Sequence, residues 1–379
     1  MGYYPDWASA SLSPEDINFS KYDWIDFAFG IPDASFGVVW DSNDSPTLLK
    51  RLVTAAHEKN VKVKLSIGGW TGSKHFSSAV ASSENREIFA QKILDVHNKF
   101  QLDGIDIDWE YPGHDGAEGN RVNSSDSANF LLLLQHLRGI LPTNARLTVA
   151  AQTAPFVDDS GQPMTDLSKF AEVLDWVLIM NYDVWTESPT PGSNAPMNNG
   201  CHNSSQPDAN AVAAYEAWTG AGFPASKLVL GLPSYGYVSN SEASGLRSRS
   251  TKTLKFRRLR SLDDGSEEPG TTVKIIGEDG SSTVQFRELL RQGALVRTSA
   301  TTYGAAGGFT RHWDTCTSTP WLRSESVKQI ITYDDLESLY MKAEFAKRVG
   351  MLGVNMFDIH GDTDEWDLIQ AVRRGLAVG

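Results

Sequence analysis

The chain has 379 residues, 40% of them hydrophobic and 21% charged, the proportions of an ordinary globular protein, and a net charge of −13. That acidity argues against a nucleic-acid partner, because phosphate binding needs a basic surface. No apolar run approaches the roughly 20 residues of a membrane span, so no membrane partner is expected either.

The elements begin with two apolar runs that read as strands, "GYYPDW" (2–7) and "WIDFAFG" (24–30). "SPTLLKRLVTAAHEKN" follows as a helix, with Ser45 as the expected N-cap and Pro46 at the first helical position. Leu48, Leu49, Leu52, Val53 and Ala56 make one stripe along it. Next come the strand "VKVKLSI" (61–67), the helix "SENREIFAQKILDVHNKF" and the strand "DGIDIDW" (103–109). The helix "SDSANFLLLLQHLRGIL" leads to the strands "RLTVAAQ" (146–152) and "DWVLIMN" (175–181). The helix "DANAVAAYEAWTGAG" leads to the strand "KLVLGLP" (227–233). The chain closes with the helix "YDDLESLYMKAEFAKRVG", the strand "MLGVNMF" (351–357) and the helix "TDEWDLIQAVRRGL".

Strands alternating with helices imply a parallel sheet, and eight such units are the count that closes a (β/α)8 TIM barrel. A doubly wound open sheet is the alternative. It would want a Gly-rich phosphate loop after the first strand, and "YYPDWASASLS" is not one. Residues 234–331 are too long for a barrel loop and carry their own apolar alternation and the helix candidate "VQFRELLRQGAL". They read as a small α+β insertion on the C-terminal rim, between the barrel segments 1–233 and 332–379. The insertion holds a basic run, Lys252 to Arg260, which reads as a solvated strand edge.

"DGIDIDWEY" runs from Asp103 to Tyr111. Alternate side chains of a strand share a face, so Asp106, Asp108 and Glu110 point one way and Ile105, Ile107 and Trp109 the other. In a barrel the acids face the axis. Carboxylates spaced by two strand rises, about 6–7 Å, cannot all be ionised at low cost, so at least one pKa is raised. Glu110 stands at the C-terminal end of the strand, where barrel enzymes carry their chemistry, and a raised carboxyl there suits a general acid. On spacing alone, a hard-cation site or a set of satisfied internal polar groups are competing readings. Asp103 has the opposite parity and reads as structural.

These residues carry a resemblance. "DGIDIDWEYP" resembles the D-x-x-D-x-D-x-E signature of the family 18 glycoside hydrolases, the chitinases. "SIGGW" (Ser66 to Trp70) resembles that family's S-x-G-G on the third strand, and "MNYD" (Met180 to Asp183) its M-x-Y-D on the sixth. "FAF" (Phe27 to Phe29), the 234–331 interval and "YDD" (Tyr333 to Asp335) match further family features, so the likeness spans the chain.

The resemblance implies hydrolysis of chitin or chitooligosaccharides with no cofactor and no metal, by a substrate-assisted, retaining route. It implies that Glu110 protonates the glycosidic oxygen and then activates water. Asp108 would hold the substrate acetamido N–H, Asp106 would share a proton with Asp108, and Tyr182 would donate to the acetamido oxygen. Asp183 and Met180 would bind alongside, and Tyr3, Phe29 and Tyr111 would line the sugar site. Trp70, Trp185 and Trp313 are expected as stacking platforms for pyranose faces, with Trp109 left in the core. Many family members carry a Trp on the eighth strand. Phe357 stands at that place here, which alters subsite strength rather than chemistry. His360 reads as a loop or helix-start residue, since the required roles are filled. The resemblance also implies cis peptides at Ala28–Phe29, Glu110–Tyr111 and Phe357–Asp358. An endo-β-N-acetylglucosaminidase and a non-catalytic chitin-binding lectin are the alternative functions.

The two cysteines, Cys201 and Cys316, lie outside any CxxC pattern and are free thiols or one disulfide. Cys201 follows the sixth strand and Cys316 lies in the insertion. Both would sit on the same rim, so a disulfide tying insertion to barrel is expected. No signal peptide is visible, because "GYYPDW" follows Met1 at once. N-x-S sequons at Asn18, Asn43, Asn123 and Asn203 nonetheless fit a secreted protein, and a monomer is expected.

Overall fold

The structure, a computed structural model, describes residues 1–247 and 272–378. Eight parallel strands form its centre: β1 (Gly2–Pro5), β2 (Trp24–Pro32), β3 (Lys62–Gly68), β4 (Gly104–Asp108), β5 (Arg146–Ala151), β6 (Trp176–Ile179), β7 (Leu228–Pro233) and β8 (Gly353–Phe357). Each pairs with its neighbours in sequence, and β1 pairs with both β2 and β8. The sheet is therefore closed, which settles the barrel against the open sheet. The apolar runs are buried on both faces, as parallel strands covered by helices require.

The helices between strands are α1 (Ser45–Glu58), α2 (Ser83–Phe100), α3 (Asp126–Ile140), α4 (Ser168–Val173), α5 (Ala211–Gly220) and α6 (Leu336–Arg348), with α7 (Asp367–Leu376) closing the ring. The β1–β2 crossover is made by short 3₁₀ turns instead. The stripe on α1 is buried as its periodicity predicts. Its cap differs from expectation. The helix starts at Ser45 itself, after Asp44, and the Ser45 hydroxyl donates to Asp6 Oδ2 at 2.5 Å. A charge-assisted bond to a carboxylate outcompetes a bond from a backbone N–H. β6 also stops short, at Ile179, because the chain turns at Asp183 into the left-handed region (φ 57°) that an Asp tolerates.

Two carboxylates stitch the N-terminal end of the barrel. Asp103, just before β4, accepts from the backbone N–H of Val63 on β3 and from Lys62 Nζ, and faces His57 on α1. Asp175, just before β6, repeats the arrangement with Leu147 N–H on β5, Arg138 and Arg146.

Between β7 and α6 the chain builds a five-stranded antiparallel sheet. Its order is Thr283–Gln285, Tyr235–Asn240, Gln329–Thr332, Thr319–Ser324, Thr310–Asp314. A helix, Phe286–Arg291, and a ribbon of Leu295–Arg297 with Tyr303–Ala305 pack beside it. The basic run Lys252 to Arg260 lies outside the described residues. The expected disulfide is present: Cys201 and Cys316 are joined, with Cα atoms 5.0 Å apart.

Candidate active site

The barrel axis is filled in layers. Trp176, Leu178, Val229, Ala28, Ala150 and Tyr3 pack together there, with Phe29, Met180 and Phe357 against them. On β4 the alternation works as the sequence requires. Ile105, Ile107 and Trp109 point into the helix layer, where Trp109 stacks on Phe76 at 5.2 Å. Asp106 and Asp108 stay inside the barrel, 1% and 3% exposed.

Asp106 is surrounded by hydroxyls. Tyr3 and Ser66 donate to its Oδ2 at 3.0 and 2.8 Å, and Thr148 donates to Oδ1 at 2.5 Å. Both oxygens of Asp106 therefore accept hydrogen bonds from hydroxyls. Asp108 contrasts with it: its Oδ1 is buried with no hydrogen-bond partner. Burial pushes the Asp108 carboxyl well up, and the charges of Glu110 and Asp106 push it further. Burial also raises Glu110, to about 7, with the Tyr111 hydroxyl opposing and Asp183 adding to the rise. The column thus holds protons at neutral pH, and its outermost member is poised to donate one.

The "SIGGW" segment has a local explanation. Ser66 reaches Asp106, and Gly68 (φ 119°) and Gly69 (φ 81°) then carry β3 past β4 in a conformation that L side chains rarely adopt. A Cβ on Gly68 would overlap the Asp108 carbonyl oxygen, to which Gly69 N–H donates at 2.8 Å. Ser73 accepts from the Glu110 N–H at 2.8 Å, so this one turn sets the backbone at both upper carboxylates.

On the opposite wall, after β6, Tyr182 and Asp183 follow Met180. Burial and the charges of Asp108, Asp183 and Glu110 hold the Tyr182 phenol well above its usual range, so it remains a proton donor. Asp183 Oδ1 accepts from both Tyr235 and Tyr237, at 2.6 and 2.7 Å. Asn194 locks the pair: it accepts from Asp183 N–H and donates to the Tyr235 carbonyl. Phe357 packs against Tyr3, Tyr182 and Tyr235, with ring centres 5.2, 5.9 and 6.2 Å apart. Phe29 sits beyond Tyr3 at 6.4 Å.

Trp70, 52% exposed, stands 6.5 Å from Tyr111 and forms an aromatic wall beside Glu110. Trp313 is not brought to the site. Its register with Pro320 places it on the sheet face opposite the one that carries Tyr237, Thr332 and Trp321, beside Arg311. Parity within the insertion's sheet decides this, and the sequence alone did not fix that sheet's pairing. Trp185 lies in the loop after β6 with the Arg247 guanidinium 4.8 Å from its ring centre. His360 is buried beneath β8 and paired with Asp358, which pushes it up to about 10 against the effect of burial. The peptides Ala28–Phe29, Glu110–Tyr111 and Phe357–Asp358 are all cis.

Several neighbours were not singled out from the sequence. Trp7, 53% exposed, flanks Phe29 at 6.2 Å. Tyr235 and Tyr237 alternate in "YGYVS", a readable signal for one face. Lys64, Asp26, Thr148 and Asn355 lie buried inside the barrel below Asp106. Lys64 shares the parity of Ser66 on a central strand, the one hint that it points inward.

Residues 1–362 match the model of the glycosyl hydrolases family 18. A "chitinase-like effector" of Moniliophthora roreri is 33% identical, over 98% of this chain and 91% of its own. "Chitinase A1" of Niallia circulans is 27% identical, over 96% of this chain and 56% of its own. The crystal structure of a Rhizomucor miehei chitinase superposes with a TM-score of 0.81 at 30% identity, over 99% of this chain and 98% of that one.

Proposed function

The chain belongs to the family 18 glycosyl hydrolases, and from that premise we propose that it is a secreted, monomeric chitinase. It cleaves β-1,4 bonds between N-acetylglucosamine units. The observation that carries the reading is the graded column on β4. Asp106 accepts from three hydroxyls, Asp108 is buried and part unpartnered, and Glu110 is raised to about 7 with Tyr182 across from it.

In this reading Glu110 gives its proton to the glycosidic oxygen while the substrate's acetamido oxygen bonds to the anomeric carbon, so the leaving chain departs as an alcohol. Asp108 accepts from the acetamido N–H and offsets the positive charge of the oxazolinium ring. Tyr182 donates to the acetamido oxygen and aligns it. Glu110 then takes a proton from a water that attacks the same carbon, opening the ring with retained configuration. Tyr3, Phe29, Phe357, Met180, Tyr111 and Trp70 supply apolar surface for the sugar faces, and Asp183 a polar contact. The described start of the insertion forms part of the groove wall, since Tyr235 and Tyr237 brace Asp183. The disulfide and the sequons fit an oxidising compartment.

A second reading, a chitin-binding protein without turnover, draws on the relative named a chitinase-like effector. One assay separates the two. A chromogenic N-acetylglucosamine oligomer is offered to the native chain and to Glu110→Gln. Turnover by the first, lost by at least 10²–10⁴-fold in the second with binding retained, supports the enzyme. Binding without turnover in both supports the lectin. Rapid cleavage of fully deacetylated chitosan, or an α product first, would refute the substrate-assisted route.

A further inference from the structure

Below the catalytic column lies a second set of buried polar groups. Lys64 on β3 is 1% exposed. Its Nζ stands 3.1 Å from Asp26 Oδ1 on β2 and 3.9 Å from Asp106 Oδ1 on β4. It donates to Thr148 Oγ1 on β5 at 2.6 Å and lies 4.5 Å from the centre of the Trp176 ring on β6. Asn355 on β8 donates to the other oxygen of Asp26 at 2.7 Å. The Met1 amino group and the Tyr3 phenol also lie within electrostatic reach of this cluster, Met1 with Asp23 and Arg373 and Tyr3 with Asp108 and Tyr182.

The direction of one hydrogen bond follows from chemistry. An ammonium only donates. Thr148 accepts from Lys64, so its own proton is directed to Asp106 Oδ1. With Tyr3 and Ser66 on the other oxygen, Asp106 is held as an acceptor on both sides. The proton of the carboxylate column is thereby displaced upward, to Asp108 and Glu110.

We propose that Lys64 is a positioning residue for the reaction: a buried cation that, directly and through Thr148, fixes Asp106 as an acceptor and keeps the column's proton beside the substrate. The inference deepens the chitinase reading and rests on it for its kinetic arm. Removing the cation takes away a positive charge 3.9 Å from Asp106 Oδ1 and so favours protonation of the column above it. The acid limb of the kcat/KM profile then rises by about one to three pH units, the effect of an opposite charge at this range. The limb set by Glu110, farther from Lys64, moves less. KM stays near its native value, because Lys64 touches no sugar, and kcat falls.

Lys64→Met preserves length without charge but leaves Asp26 buried and unpaired, and that variant can fail to fold. The test therefore includes Lys64→Met/Asp26→Asn, which removes both charges, and Thr148→Val, which removes only the relay. The expected result is a folded double variant with its acid limb shifted up and kcat reduced at similar KM, and a smaller shift of the same sign in Thr148→Val. A folded double variant with the native acid limb and native kcat would overturn the inference and leave Lys64 a packing residue. Absence of turnover in the native chain would refute the chitinase reading instead. The inference is then read from carboxyl ¹³C titration of labelled aspartates, where an unchanged Asp108 midpoint in the double variant overturns it.

Discussion

Glu110 and Asp108 sit two residues apart, Asp108 at the end of β4 and Glu110 just past it, yet differ in their surroundings. Glu110 is partly open to the groove, and burial sets its midpoint near 7. Asp108 is sealed, and two carboxylates press on it as well as burial. A general acid must be protonated to work, so kcat/KM is expected to fall as pH rises through about 7, the free-enzyme value of Glu110. Initial rates on a soluble oligomer between pH 4 and 9 check this. A basic limb near 4.5, the ordinary glutamate value, would show that burial does not raise Glu110 in the free enzyme. Tyr182→Phe removes one donor while keeping the ring against Phe357. The expected loss is roughly 10- to 100-fold in kcat, the value of a hydrogen bond to a developing charge, about 1.5–3 kcal/mol. The alternation Asp106, Asp108, Glu110 was legible because a strand has a period of two and the intervening residues are apolar. Lys64 and Asp26 were not singled out. Asp26 is a lone charge in an apolar run and Lys64 alternates with Lys62, and only the closed barrel brings them face to face.

At the scale of elements, the β3–β4 pairing depends on a missing side chain. Gly68 lets the end of β3 cross the Asp108 carbonyl, and its φ of 119° is unavailable to alanine without strain. Gly68→Ala is expected to displace the Gly69–Asp108 bond, reduce activity more than a surface change would, and cost about 1–3 kcal/mol of stability. Urea unfolding together with kcat reports both. Asp175→Asn tests the lower seam. Its carboxylate is held below the ordinary range, despite the opposing effect of burial, by the Leu147 N–H and Arg138 and Arg146. A carboxyl lowered on folding stabilises above its unfolded pKa, and that contribution disappears as pH falls through the folded value. The native chain should therefore lose its stability advantage over Asp175→Asn in acid, with the two melting curves converging below about pH 4. The strands and principal helices could be read from periodicity, because their apolar stripes are long and unbroken. α1's cap, the early end of β6 and the face taken by Trp313 could not. Each is decided by a partner distant in sequence: Asp6 for Ser45, the Asn194 bracket for Asp183, and the register of the insertion's sheet for Trp313.

Across the whole molecule, the segment between β7 and α6 and the loop after β6 are joined by many hydrogen bonds and one disulfide. Tyr235 and Tyr237 grip Asp183, Thr319 donates to Ser193, and Cys201 is bonded to Cys316. The first contact belongs to the candidate site, so the position of Asp183 depends on how firmly the others fix the loop. The disulfide closes a loop of 115 residues. In the chain-entropy model such closure removes freedom from the unfolded chain equal to about 4–5 kcal/mol. Cys201→Ala/Cys316→Ala is expected to lower the melting temperature by roughly 5–10 °C. If the covalent tie also holds the loop in place, KM for an oligomer rises while the basic limb near 7 is unchanged, because Glu110 lies on β4's exit and its burial does not depend on the loop's tether alone. Scanning calorimetry and oligomer kinetics on the double variant measure the two effects separately. A melting temperature equal to the native value would mean that the non-covalent contacts between insertion and loop suffice without the covalent tie.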